Sequence, residues 1–581
     1  MEHKLAKIDA VSGKTFDFVI IGGGTAGLVL AARLTEDPKV SVAVLEAGKP
    51  HFDDPLVLTV DGWMRQFMNP EYDWGFPTVP QVNAGNKPFL WSRGKGLGGS
   101  SAMNFLLWTK PQREDIDAFE ALGSPGWNWE RFQEYSKKSE KFYLRVQEGS
   151  LKVADHSPIP TGPLPISFAR TSSGAEYPFQ KSLESNGIKI VTDPMSGETV
   201  GTWKSVSVID PETNTRSYAT TGYLLPALDR PNLHVLTEAY VSKIITSKNG
   251  GEVVASGVEF EYAGATHRVD AGKEVILSAG AIKSPQILEL SGIGDKAILE
   301  PLGVPVQVDL PSVGTNVQEH LTHNGLAFLM QDGHNIATSD LLRDAAFQSK
   351  LLEANPDLKG PLSVALSGLT FLPLQSFSDR ASEIIDQLSA KIEKEADSYP
   401  PGLKEQYEYQ LKCLKDEKVP EAEIIVFPFS FDPNVADKPF IALLPTLVHP
   451  WSRGTIHISS TDPKAIPIID PRYFDVETDL EILLDDISIT EVAPGPNVAT
   501  DDQIREHIRQ NLTTVWHTVG SLSMLPKDKG GAVDPKLKVY GTKNIRVVDL
   551  SVIPIEIAVH TQAAVYAIAE QAADVIKADY A

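Results

Sequence analysis

The most constraining stretch of the chain is "FDFVIIGGGTAGLVLAARLTED", which begins at Phe16. An apolar run from Phe16 to Ile21 ends in three glycines and passes directly into a second apolar run. A strand that turns at once into an apolar helix must lay that helix back on its own sheet, which calls for a crossover to a parallel strand. "SVAVLEAG" supplies that strand and carries an acid, Glu46, near its end, followed by Ala47. The unit spans about thirty residues, as strand–helix–strand units do. Its turn holds Gly22, Gly24 and Gly27 in G-x-G-x-x-G spacing. Gly22 permits the tight turn, Gly24 lets a pyrophosphate approach the backbone, and Gly27 lets the helix close on the strand. The helix then starts at Thr25 and Ala26, where amide N–H groups point at phosphate. Glu46 is placed to accept from a ribose hydroxyl. These features predict a dinucleotide site. They do not choose between a flavin and a nicotinamide.

The rest of the chain needs more than one core. Its 581 residues exceed the roughly 250–300 at which a single core stops growing, so two domains or interleaved lobes are expected. A net charge of −23 repels phosphate and weighs against nucleic acid or an anionic membrane surface as partner. With Cys413 the only cysteine, no intrachain disulfide forms. No run of about 18 apolar residues is present to cross a membrane, and "MEHKLAKIDAVSGKTFDF" has no signal-peptide core. An intracellular protein is expected; secretion with a leader removed stays open. "NLHVLTEAYVSKIIT", "VVASGVEFEY" and "THRVDAGKEVILSAG" read as consecutive strands, and "SPQILELSGIG" as a short helix. "SEIIDQLSAKIEKEADSYPPGLKEQYEYQLKCLKDE" reads as charged helix broken at Pro400 and Pro401, a solvated face. The last helix, "TQAAVYAIAEQAADVIKA", starts just after His560 and reads as amphipathic.

Two further motifs decide the cofactor. "GKGLGGSSAMNFLLW" (Gly94–Trp108) and "GAIKSPQILELSGIG" (Gly280–Gly294), with "VGTNVQEH" and "VVDLSVIP", resemble the signatures of the glucose–methanol–choline (GMC) oxidoreductases over nearly the whole chain. The C-terminal run is most similar to the fungal branch of aryl-alcohol oxidases and formate oxidase. The resemblance implies FAD and an α/β fold. In that fold a Rossmann-like FAD-binding domain is interleaved with an α+β substrate domain built on a six-stranded antiparallel sheet. The FAD-binding domain is expected over 1–160, 220–322 and 526–581, and the substrate domain over 161–219 and 323–525. "GLGGSS" has no bulky side chain except Leu97, so a flat ring can lie against it while its amides and hydroxyls donate to an anion. The resemblance lays Arg93, Gly94, Gly98, Gly99 and Ser100 along the flavin and puts Asn104 near its reactive face. Val241 would hold the adenine through its backbone, with Ala279 close by. Asp549 would reach the ribityl or pyrophosphate region. Thr561 and Gln562 would aim helix-terminal amides at the flavin C2 oxygen. Some family members attach FAD to a histidine just after the paired serines. Ala102 stands there in this chain, so non-covalent FAD is expected.

The histidines carry the chemistry. By themselves they are ordinary: His517 sits beside an aromatic, as packed histidines do, and His560 could cap the last helix. "VWHTVGS" resembles the family segment with the principal active-site histidine, which makes His517 the general base, and His560 falls at the second catalytic position. One imidazole accepts a hydroxyl proton while the other donates to the forming alkoxide, and both titrate near neutrality. The implied reaction oxidises a small-molecule alcohol, with hydride passing to flavin N5 and electrons to O₂ or a quinone-like acceptor. Phe105 and Trp516 would shape an apolar approach that leans toward aromatic or unsaturated primary alcohols. Formate oxidase has an arginine where His560 stands, which again points to alcohols. A lyase of the hydroxynitrile type with a structural flavin, and a non-catalytic FAD-binding protein, are the alternatives. No metal site is expected. The stretch between "DLEILLDDI" and His517 is shorter than the family pattern leads one to expect.

Overall fold

The computed structural model describes residues 1–143, 161–171, 173–324, 326–330, 336, 338–340, 344, 346, 349–350, 353, 365–366, 368–429, 439–487 and 498–581. The stretch expected to be short before His517 includes residues 488–497, which lie outside the described residues.

Strand Thr15–Ile21 is nearly all apolar because it is covered on both faces: Phe18 to Ile21 are buried without interruption. Val42–Leu45 pairs with it in parallel on one side and Ala265–Leu277 on the other. Leu233–Leu236 extends the parallel sheet beyond Val42–Leu45. The long strand Ala265–Leu277 has two kinds of partner. Its first half runs antiparallel to Glu252–Tyr262, which in turn pairs with Tyr240–Asn249. Its last residues accept Ile545–Val547 in parallel. Every strand of this sheet comes from 1–160, 220–322 or 526–581.

The second sheet is antiparallel throughout, in the order Leu512–Thr514, Leu321–His323, Phe440–Leu447, Ala422–Phe427, Gly368–Leu372, Gly201–Lys204. Leu326–Leu329 pairs further along Phe440–Leu447. The six positions therefore hold seven strands, one position being shared by two short segments. Leu321 and Thr322 belong to this sheet although they precede the expected boundary at 323.

Helix Thr25–Leu34 packs on the last helix, Gln562–Asp579, which also packs on Trp129–Ser139. The last helix is buried continuously from Gln562 to Ala573 and is therefore a core helix, not an amphipathic one. Its alanines let two neighbours approach closely, and small side chains weaken the polar–apolar contrast that a one-sided helix shows. The charged region does form two helices, Ala381–Glu395 and Leu403–Leu414, parted at Pro400–Pro401. Each nevertheless buries a stripe, with Ile384, Leu388 and Ile392 on the first and Tyr407, Cys413 and Leu414 on the second, so only their outer sides are solvated. Thr455–His457 and Ile468–Asp470 form a separate two-stranded ribbon.

Candidate active site

A long cavity runs from the glycine turn to the segment 515–518 that follows Leu512–Thr514 of the second sheet. Its wall includes Gly22, Gly24, Thr25, Ala26, Glu46, Ala47, Arg93, Gly94, Gly99, Ser100, Asn104, Val241, Ala279, Asp549, Thr561 and Gln562 at one end and along its floor, and Phe105, Trp516, His517 and His560 at the other. Gly27 and Gly98 are outside the wall. A Cβ on Gly27 would lie 2.0 Å from the Gly22 carbonyl oxygen, so this glycine serves close helix–strand packing. Gly98 has φ +95°, and a Cβ there would strike the Tyr218 ring at 2.6 Å; its amide donates to the Gly23 carbonyl at 2.8 Å. It ties the two glycine loops together from behind.

The floor suits a dinucleotide. A Cβ on Gly99 would sit 2.8 Å from the Gly24 Cα, so the two glycine loops touch backbone to backbone. Helix Thr25–Leu34 has Gly24 as N-cap and no side-chain cap, and the last helix likewise begins at Thr561 without one. Two sets of first-turn amides thus lack side-chain acceptors beside the cavity, where anionic oxygens are favoured. Ser278 Oγ and Gln562 Nε2 are buried with no partner among the described residues. Backbone donors, close glycines and idle polar atoms fit FAD.

Two carboxylates do more than the sequence suggests. Glu46 accepts from the amides of Gly23 (2.8 Å), Gly48 (2.8 Å) and Gly96 (3.1 Å), clamping three turns together. Asp549 accepts from Gly280 (2.9 Å) and Ser284 on one oxygen and from Ser551 on the other. Both line the cavity and also hold its loops together. Burial raises the pKa of each, and these donors pull it back. Ser100 Oγ accepts from Gly94 N at 3.1 Å, and Ser101 Oγ donates to the Gly98 carbonyl at 2.6 Å, so the loop's hydroxyls brace the loop. Asn104 is braced too: its oxygen accepts from Arg216 at 2.8 Å and its amide donates to Gln562.

His517 is delivered by a strained backbone. Trp516 sits at φ +60°, a region that costs a bulky residue about 1–3 kcal/mol. Thr514 Oγ1 accepts its amide at 2.9 Å, the Leu90 carbonyl accepts its indole N–H at 3.1 Å, and Arg93 donates to its carbonyl at 2.8 Å. Arg93 also reaches the Thr518 hydroxyl, so its guanidinium secures the His517 segment. Glu319 accepts the His517 amide at 2.5 Å and the Thr518 hydroxyl.

The two predicted histidines meet: their ring centroids are 4.9 Å apart at 86°. His560 is not a helix cap. Its amide donates to Thr109 Oγ1 at 3.1 Å and its Nε2 lies 2.9 Å from Glu423 Oε1. A third histidine, His320, stands behind His517 with the two Nδ1 atoms 2.9 Å apart. Burial, with the neighbouring His560 and His320, holds the His517 pKa well below its usual value. His320 is pushed to about 3 by burial and by His449 and His560. The sequence reading missed Glu319, His320 and Glu423. "QEH" stands in one of the signature motifs, and an acid followed by a histidine in such a motif is the one signal that pointed there. Glu423, in a buried strand, gave none. Around the histidines stand Phe105 and Trp516, 5.9 Å apart, with Phe67 at 4.9 Å from Trp516 and Trp63 at 4.5 Å from Phe105.

Comparison with known proteins identifies the family. The GMC oxidoreductase family models match residues 16–322 and 450–569. A GMC oxidoreductase family protein of Malassezia sympodialis is 36% identical, covering 97% of this chain and 93% of the relative. Among solved structures, an FAD-dependent oxidoreductase from Chaetomium thermophilum superimposes with a TM-score of 0.87 at 30% identity, covering 97% of this chain and 99% of that one. A fungal aryl-alcohol oxidase gives a TM-score of 0.87 at 27% identity over the same shares. With its fold, its cavity and its sequence in accord, the chain belongs to the GMC oxidoreductases, FAD-linked enzymes that act on CH–OH donors.

Proposed function

We propose that the protein oxidises a small alcohol, with His517 as general base and His560 as hydrogen-bond donor to the substrate oxygen. The observation that carries this is the near-perpendicular meeting of the two imidazoles at 4.9 Å in the cavity wall. Bound FAD supplies the hydride acceptor, and O₂ or a quinone-like compound takes the electrons onward. The glycine loops, the two helix N-termini and the backbone near Val241 and Ala279 hold the cofactor. Ala102 offers no nucleophile to it, so acid precipitation is expected to release all the yellow colour.

His517 is suited to the base role because burial keeps its ring neutral and ready to accept. The aromatic side chains Phe67, Phe105, Trp516 and Trp63 exclude water and favour a flat or unsaturated primary alcohol. The likeness to an aryl-alcohol oxidase points the same way.

The test is an anaerobic screen of alcohols, aldehydes and sugars for loss of the flavin absorption at about neutral pH, followed by air or a quinone. Bleaching by an aromatic alcohol is the expected result. A flavin that stays oxidised while a substrate is consumed would replace this reading by the lyase.

A further inference from the structure

A buried arginine behind the histidine end of the cavity has no counter-charge. Arg216, the last residue of the short strand Thr215–Arg216, is 1% exposed. It donates to three neutral oxygens: the Val57 carbonyl at 3.0 Å, the Ser101 carbonyl at 3.4 Å and Asn104 Oδ1 at 2.8 Å. Its Nη2 has no partner, and no carboxylate pairs with it, among the described residues. The groups that face it are the Tyr218 and Tyr566 phenols, which burial keeps un-ionised. Burial pushes Arg216 itself down only to about 9, so it stays charged near neutrality. Arg546, equally buried, is by contrast paired with Glu274 at 2.6 Å.

An arginine can only donate, so the Asn104 amide must turn its oxygen toward Arg216. The Leu106 amide donates to that same oxygen at 3.1 Å. Asn104 Nδ2 is thereby turned the other way, where it donates to Gln562 Oε1. One Nδ2 hydrogen serves Gln562, and the second has no acceptor among the described residues. Asn104 stands in the cavity wall, and its neighbours place it at the histidine end: Gln562 follows His560 by two positions, and the adjoining ring of Phe105 lies 5.9 Å from Trp516. A buried charge without a partner is unfavourable, and negative charge arriving in the adjoining cavity relieves it.

We propose that Arg216 is a positioning residue that tunes the cofactor: it orients Asn104 as a donor, leaves its own charge unneutralised, and so favours negative charge on bound FAD and raises its reduction potential. This rests on the reading of the histidine end as the place where hydride is accepted. Hydride adds a negative charge to a neutral flavin ring, so a positive charge nearby stabilises the reduced form more than the oxidised one. The low dielectric of the interior lets that charge act without touching the cofactor. The first turn at Thr561, which has no side-chain cap, favours the same sign. Arg216 also braces the turn at Leu106, which sits at φ +69°. A purely bracing role would change stability and leave the potential alone.

The experiment uses the FAD-loaded enzyme and reads its midpoint potential against a redox dye, with no alcohol present. Arg216→Gln removes the charge and keeps an amide that can donate to Asn104. It is expected to hold FAD and to shift the reduced-to-oxidised ratio about tenfold toward the oxidised form, a midpoint about 30 mV lower. Arg216→Lys, which keeps the charge, is expected to recover most of that shift. A ratio for Arg216→Gln within about twofold of the wild type, whatever its unfolding temperature, would overturn the proposal, and so would an Arg216→Lys midpoint no higher than that of Arg216→Gln. Should Arg216→Gln fail to hold FAD, Arg216→Met is measured in its place, because an apolar side chain needs no partners there. Loss of FAD from both neutral variants would show that Arg216 only holds the loop, and overturns the proposal too. The parent reading is tested separately: if no alcohol bleaches the wild type, alcohol oxidation is removed while the shift in midpoint stands, whereas a wild type that bleaches beside an unshifted Arg216→Gln removes only the tuning.

Discussion

The floor and the far wall of the cavity are built on opposite plans. On the floor, Glu46 and Asp549 have both carboxylate oxygens engaged by backbone amides and serine hydroxyls. The contact surface there is glycine backbone and helix termini. At the far wall, titratable side chains meet one another instead: His517 faces His320 at 2.9 Å and His560 lies 2.9 Å from Glu423. A binding surface gains from having every donor fixed in advance, because nothing is then reorganised when the ligand arrives. A surface that moves protons must leave somewhere for them to go. Under the proposed function, the difference separates residues that hold the cofactor from residues that act on the alcohol.

Substitutions can break that separation, and the largest effect is expected at His517. His517→Ala should lower kcat/KM by about 10³-fold, while the ratio of flavin to protein absorbance stays at the wild-type value; loss of flavin as well would mean the two walls are not independent. On the floor, Gly27→Leu drives side-chain atoms into the Gly22 carbonyl. It should cost about 3 kcal/mol of stability, seen as a lowered unfolding temperature and colourless protein. Glu46→Gln leaves amides without an anionic acceptor, a loss of about 1–3 kcal/mol. FAD retention on dilution should fall by at least tenfold, with kcat of the loaded fraction unchanged. Phe105→Leu should shift preference between an aromatic and an aliphatic primary alcohol by about fivefold, the value of about 1 kcal/mol of ring contact, measured as a ratio of kcat/KM.

The smallest expected change is none. A histidine whose folded pKa is depressed loses its base form only below that lowered value. Because burial depresses His517, kcat/KM should not fall with a midpoint at the ordinary value of about 6.5. A fall centred there would show that solvent reaches the ring.

The glycine turn was legible because its constraints are local: spacing, strand, helix and acid all lie within one short stretch. The family motifs made His517 and His560 legible in the same way. What could not be read is pairing across the fold. Glu423 meets His560 from a strand 137 positions away, and His320 meets His517 across 197. No periodicity records such contacts. Local patterning also misjudged the last helix, because its alanine-rich surfaces look one-sided in sequence yet pack against neighbours on more than one side. The acid at the end of the second strand was legible, but its three amide donors come from three different turns, and only the folded chain shows that it clamps them.

The strand Ala265–Leu277 draws one neighbour from the start of the chain and another, Ile545–Val547, from near its end. During synthesis the sheet therefore remains open along one side of Ala265–Leu277 until Ile545–Val547 has emerged from the ribosome. A nascent chain of this design waits with an apolar strand edge uncovered, and a product cut before Ile545 leaves that edge open. Expression temperature and flavin supply at the end of translation are then expected to govern yield more strongly than the speed at which the chain begins to fold.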